Sequence, residues 1–256
     1  MSADSRVAGR PETGARIVPD HLVLELYRKM LTVFYLEERT KVFVRQGKCS
    51  FYASTRGHEK LQVGITMLMR PRHDWFFTYY REKALAVALG MPLKDILLGM
   101  LSRAGDPNSG GRNMPEHFSS RELNLVAMSA CTGTQFLQAV GAAKALRKDG
   151  SDAVVYVSSG EGTTSEGEFF EALNWAAREK LPALFVIQNN GYAISVEQAT
   201  QHVAEIHRIA RGFGMPTYDL DGTWYEPMYQ TVPGVIERLR RGHLSLIHIS
   251  EPTRPY

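Results

Sequence analysis

Between His21 and Arg45 the apolar positions Leu22, Leu26, Met30, Val33 and Phe34 recur at helical spacing, which predicts a long amphipathic helix. The polar, aromatic stretch QGKCSFYASTRG, residues 46–57, is punctuated by Gly47 and Gly57 and predicts a loop. HEKLQVGITMLM returns to a helical pattern, DWFFTYY has strand propensity, and REKALAVALG is helical again. Pro92 suits the first turn of a further helix, PLKDILLGML. Residues 103–120, RAGDPNSGGRNMPEHFSS, form the longest loop-like stretch; loops of that length inside a domain are usually functional or mobile.

Downstream, LVAMSACTG leads into a helix, TQFLQAVGAAKALRK, whose small residues Ala139, Gly141, Ala142 and Ala143 allow close packing against a sheet or partner. The most ordered pattern follows. A strand at 153–157, AVVYV, passes through a loop into a helix from about Glu166 to Glu179, then Pro182 and a second strand, ALFVIQ, at 183–188. Two short, continuously apolar strands around a helix of about four turns predict a right-handed βαβ unit in a buried parallel sheet. Phe169, Leu173, Ala176 and Ala177 mark that helix's buried face. The expected fold is therefore α/β, a doubly wound, mostly parallel sheet flanked by helices.

Composition narrows the class. A chain of 256 residues with 44% hydrophobic and 22% charged residues matches a globular protein with a substantial core. A net charge of only +3 argues against nucleic acid or a membrane surface as partner. Cys49 and Cys131 are far apart and read as reduced thiols, Cys131 as a small buried hydrophobe. Residues 1–20 mix arginines with Asp4, Glu12, Asp20, Pro11 and Pro19, which spoils a targeting helix. They read as a disordered lead-in to a cytoplasmic domain over 21–242.

Candidate chemistry sits at the two ends of the βαβ unit. Gly160-Glu161-Gly162 follows its first strand and Asn189-Asn190 its second, and ligands of open parallel sheets bind at those carboxyl edges. A carboxylate and an amide oxygen suit magnesium bound with a diphosphate. The flanking glycines would admit phosphate oxygens to backbone N–H groups, and a helix starting near Ser165 would add its dipole. The P-loop is excluded for want of a Lys-Ser/Thr pair, and the dinucleotide fingerprint because its third glycine comes two residues late.

The stretch GEGTTSEGEFFEALNWAAREKLPALFVIQNNGYAIS resembles the thiamine-diphosphate motif of the alpha subunits of 2-oxo acid dehydrogenases, closest to the branched-chain, 2-oxoisovalerate type. TYYREKALAVALG, GGRNMPEH and SACTGTQFLQAVGAA extend the resemblance over most of residues 21–242. It implies a thiamine-diphosphate-binding fold. It implies magnesium held by Glu161, Asn190 and the carbonyl of Tyr192, and a diphosphate held by Tyr80, Arg81, Gly160, Gly162 and Thr163. Ser129 and Ala130 would lie along the aminopyrimidine; Ser129, Cys131, Thr134 and Gln135 match a loop that binds potassium in some relatives.

The implied reaction is decarboxylation of a 2-oxo acid followed by reductive acylation of a lipoyl group on an acyltransferase partner. The activating glutamate would come from a beta subunit, in a two-alpha two-beta assembly, or from a fused beta-like half, so no catalytic residue is assigned to this chain, and it is expected to be inactive alone. Two departures stand out. Gln188 replaces an arginine, which removes a phosphate-neutralising cation; and LSLIHISEPTRPY, residues 244–256, replaces a histidine-bearing loop. Residues 243–256 read as an artefactual tail or, alternatively, an edge strand, with His243 and His248 given no catalytic part.

Overall fold

The computed structural model describes residues 17–242 and the backbone of residues 245–250. Helix α1 spans Asp20–Arg45, α2 Glu59–Thr66, α3 Lys83–Leu89 and α4 Leu93–Met100, with strand β1, Trp75–Phe77, between α2 and α3. Strand β2, Leu125–Val126, precedes α5, Thr134–Lys148. Then come β3, Val155–Gly160, a 3-10 turn over Glu161–Ser165, α6, Gly167–Glu179, and β4, Ala183–Asn189. A hairpin of β5, Tyr192–Ala193, and β6, Val196–Glu197, is followed by α7, Ile206–Gly212, β7, Thr217–Asp221, α8, Tyr225–Arg240, and β8, Ser245–Ser250.

Six strands pair in parallel in the order β2-β1-β3-β4-β8-β7. The period-2 alternation of β3 and β4 divides the core. Tyr156, Leu184 and Val186 pack with α1, α2, α3 and α8 on one face, while Val155, Val157, Phe185 and Ile187 pack with α5, α6 and α7 on the other. Phe136 of α5 lies 5.1 Å from Phe169 of α6 and 6.2 Å from Phe185, which knits the second layer to the sheet. From β1 the chain winds outward to β2, and from β3 it winds the opposite way to β4. The crevice of such a sheet opens at that reversal, at the carboxyl ends of β1 and β3.

A buried ion pair ties the far end of the chain to this frame. Asp74 accepts both terminal nitrogens of Arg240, at 2.8 and 2.7 Å, and also the backbone N–H groups of Val154 and Arg70. No helix among the described residues is long and apolar enough to cross a membrane.

Several expectations are corrected. Phe34 of α1 is exposed, one step round from the fully buried Val33, with the Arg56 guanidinium 4.6 Å over its ring. Gly141 of α5 faces open space; only Ala139 and Ala143 of the small residues are fully buried. Ala177 is half-buried, and Ala172 takes its place on the inner face of α6. Pro92 caps α4 with an extended backbone instead of entering its first turn.

Val18 lies in the core beside α1, so the lead-in ends earlier than residue 20; residues 1–16 lie outside the described residues. Residues 245–250 are no edge strand: their backbone pairs with β4 on one side and β7 on the other. The rest of the expected tail, 243–244 and 251–256, lies outside the described residues.

Candidate cofactor site

A cavity of about 880 Å³ opens at the carboxyl ends of β1, β3 and β4. Its floor is the β3 tip and the 3-10 turn: Gly160, Glu161, Gly162 and Thr163, with Glu166 beyond. Tyr79, Tyr80 and Arg81 come from the loop after β1; Asn190, Tyr192, Ala193 and Ile194 come from the loop after β4. Of the predicted site residues, the structure thus brings together Tyr80, Arg81, Gly160, Glu161, Gly162, Thr163, Asn190 and Tyr192. Ser129 and Ala130 do not line it; Thr132 is the residue that their loop presents.

Strand register explains the meeting of Glu161 and Asn190. Gly160 pairs with Gln188, so residues one and two positions further leave adjacent strand tips. The N–H of Asn190 donates to Glu161 Oε2 at 3.3 Å, and Glu161 Oε1 is buried with no hydrogen-bond partner. Asn190 Oδ1 accepts the N–H of Tyr192 at 3.0 Å, which closes a tight turn at the β4 tip. Burial raises the Glu161 carboxyl above its ordinary range, opposed by backbone hydrogen bonds and by His58 and Arg81. An orphaned, buried carboxylate oxygen in a cavity also lined by Asn190 and Tyr192, which carry amide and carbonyl oxygens, fits a hard divalent cation. Among the described residues no cluster of three or more His, Cys, Asp or Glu could hold a metal, so a softer ion has no competing site of that kind.

Arg81 supplies the opposite charge. It is buried at 7% exposure, its Nη1 donates to the Ser54 carbonyl at 2.6 Å, and its guanidinium lies 5.4 Å from the Tyr80 ring centre. Among the described residues it has no carboxylate at ion-pair distance. A buried cation of this kind is stabilised by an anionic ligand with forked acceptor geometry. Lys41 and Arg56 also line the cavity, but both are engaged by Glu38, at 2.9 and 2.5 Å.

The two glycines differ in role. Gly160 is extended, with φ −74° and ψ 163°, and has room for a side chain. A Cβ on Gly162 would stand 2.5 Å from the Ala193 Cβ, so this glycine lets the β5–β6 hairpin close onto the 3-10 turn. The helical N–H groups nearest Glu161 belong to that turn, whereas α6 itself begins only at Gly167.

Two further expectations change. Cys131 is exposed, because its loop stands away from the core; its N–H donates to Ser129 Oγ and its carbonyl accepts from Thr134 Oγ1. Gln135 Oε1 accepts the Gly133 N–H while its Nε2 donates to the Ser158 carbonyl. Gln188 does not border the cavity at all. It is fully buried beneath it, so it leaves no gap in the wall where a phosphate would sit.

Residues missed by sequence reasoning include Lys41, Tyr52, Ser54 and Arg56, which come from α1 and the 46–57 loop. Nothing local marks them; Tyr52 and Ser54, for example, are held by the fully buried group Glu37–Lys83–Glu116. Lys83 Nζ lies 2.8 Å from Glu116 and 3.5 Å from Glu37, and Glu37 accepts from Thr55, Ser54 and Tyr52.

The model of the family described as "Dehydrogenase E1 component" matches residues 27–247. The chain belongs to that family. It is 39% identical over 224 residues to the 2-oxoisovalerate dehydrogenase subunit alpha of Bacillus subtilis, covering 87% of this chain and 68% of that protein. It is 34% identical to a pyruvate dehydrogenase E1 component subunit alpha of Staphylococcus aureus, of which it spans 58%. A transketolase structure from Campylobacter jejuni superposes with a TM-score of 0.65 at 18% identity, covering 88% of this chain and 37% of that one, which supports the α/β fold alone.

Proposed function

We propose that this chain is the alpha subunit of a 2-oxo acid dehydrogenase that binds thiamine diphosphate through magnesium. The observation that carries the reading is the pairing of an orphaned, buried Glu161 oxygen with a carboxylate-free Arg81 across one cavity. Glu161, the Asn190 side-chain oxygen and the Tyr192 carbonyl would hold the cation. Arg81, Tyr80 and the N–H groups of Gly162 and Thr163 would hold the diphosphate.

When bound, the cofactor supplies an electron sink for loss of carbon dioxide from a 2-oxo acid. This chain's share is binding and orientation. Glu161 and Arg81 would anchor the diphosphate end of the cofactor and so limit its freedom in the cavity. A beta subunit seated there supplies the remaining groups, a lipoyl-bearing acyltransferase takes the acyl group, and the assembly works in the cytoplasm. The substrate reading rests on the 39% identity to a branched-chain relative; the 34% identity to a pyruvate relative supports the alternative.

The chain, purified with and without a matching beta chain, is assayed for 2-oxo acid-dependent dye reduction. The reading predicts turnover only in the presence of both, faster with 3-methyl-2-oxobutanoate than with pyruvate or acetoin. Turnover by the chain alone, or no turnover with either acid in the complex, contradicts it.

A further inference from the structure

Gln188 lies on the same face of β4 as Leu184 and Val186, directly under the cavity floor, and is wholly buried. Its amide joins four segments. Oε1 accepts Gln62 Nε2 at 2.9 Å and the Tyr79 hydroxyl at 3.3 Å, and lies 3.1 Å from His58 Nδ1. Its Nε2 donates to Glu82 Oε1, which also accepts the Tyr156 hydroxyl at 3.2 Å.

The chemistry of the partners settles which way both amides point. Glu82 offers Gln188 an acceptor, and the same Gln62 Nε2 donates to the backbone carbonyl of Arg81 at 2.9 Å. A single buried path therefore runs from the β4 tip, two residues before Asn190, through Gln188 and Gln62 to the backbone of Arg81. At its other end Gly160, the register partner of Gln188, immediately precedes Glu161. Nothing else among these contacts links the anchor of the cation pair to the anchor of the anion clamp so directly.

We propose that Gln188 is a positioning residue, which sets Arg81 at a fixed separation from Glu161 and Asn190 so that one metal-bridged diphosphate spans them. This rests on the diphosphate reading above. A neutral amide suits the task because it donates and accepts at once. It bridges the carboxylate of Glu82 and the donors of Gln62 and Tyr79 without a second charge behind the clamp.

The test is calorimetric titration of the full chain with inorganic pyrophosphate in excess magnesium, alongside thermal melting. Gln188→Met keeps the volume and removes the hydrogen bonds. It is expected to weaken binding about tenfold, and Arg81→Ala about a hundredfold, while the double variant binds no more weakly than Arg81→Ala alone, because both losses run through one group. A residue with a merely structural part would lower the melting temperature without this non-additivity. Gln62→Met cuts the same path and is expected to behave alike; it serves in the same cycle should Gln188→Met not fold.

Additive losses, or unchanged affinity in the Gln188 or Gln62 variant, overturn the inference. If wild type binds, Glu161→Ala abolishes binding and Gln188→Met does not weaken it, only the positioning part falls. No pyrophosphate binding by wild type defeats the diphosphate reading and this inference together.

Discussion

Asn190 donates its backbone N–H to Glu161 Oε2 at 3.3 Å, and the other oxygen of that carboxylate is buried with no partner. Two strand tips thus hold a charge that the protein itself does not neutralise. Such a group costs stability in the metal-free protein and regains it when a cation arrives.

The cost has a definite pH sign. Burial raises the folded-state value of Glu161 above the ordinary 4.5, so its contribution is intact below that value and is lost as pH rises through the folded value. Glu161→Gln removes the charge at constant shape. The metal-free variant is expected to melt at a higher temperature than wild type at about pH 8. The difference vanishes at acidic pH, where both side chains are neutral. Melting curves at the two pH values check this; a less stable metal-free variant at the higher pH contradicts it.

Glu116 carries a second pH dependence, away from the cavity. Burial pushes its carboxyl up to about 7, against the pull of Lys83 at 2.8 Å. Its contribution is complete below 4.5 and declines as pH rises through about 7, by at most about 3 kcal/mol. Urea unfolding of wild type should show this loss between those values, and Glu116→Gln should flatten the profile, with Lys83 still paired to Glu37. An equally steep profile in the variant would show that other groups set it.

Gly162 is a matched half of a contact. Gly162→Ala places a methyl group 2.5 Å from the Ala193 Cβ, which forces the β5–β6 hairpin off the 3-10 turn and shifts Tyr192. Thiamine diphosphate affinity is expected to fall about tenfold or more, and Ala193→Gly in the same chain to restore most of it. Absence of rescue would show that the added methyl group weakens binding by some route other than its clash with Ala193.

Arg240 tests the frame. Arg240→Ala strands Asp74 as an unpaired, fully buried carboxylate holding the starts of β1 and β3, and is expected to cost about 3–5 kcal/mol in denaturant unfolding. A loss under about 1 kcal/mol, the worth of a surface pair, would show that water reaches Asp74.

The unit from β3 through α6 to β4 is legible in the sequence because its strands are buried on both faces. Every position from Val154 to Val157 and from Ala183 to Ile187 is apolar, and no helix of that length competes. The site follows, since Glu161 and Asn190 leave those strands by short loops. The end of the chain reads less well: Pro233 lies inside α8, and the β7 sequence TYDLD has no continuous apolar run.

The wall formed by Lys41, Tyr52, Ser54 and Arg56 is illegible for a different reason. Its Tyr52 and Ser54 are held by Glu37, which is buried with Lys83 and Glu116, charges that periodicity alone puts on the surface. Gln188 shows the same limit. Its type announces a lost cation, while its position on the inner face of β4 makes it a neutral hub.

The most direct measurement is titration of thiamine diphosphate into the chain, assembled with its beta partner, with magnesium and then with the metal chelated. The account predicts binding that requires the metal and is abolished by Glu161→Ala and by Asn190→Ala. Binding of equal strength after chelation, or unchanged in the Glu161→Ala chain, would contradict it.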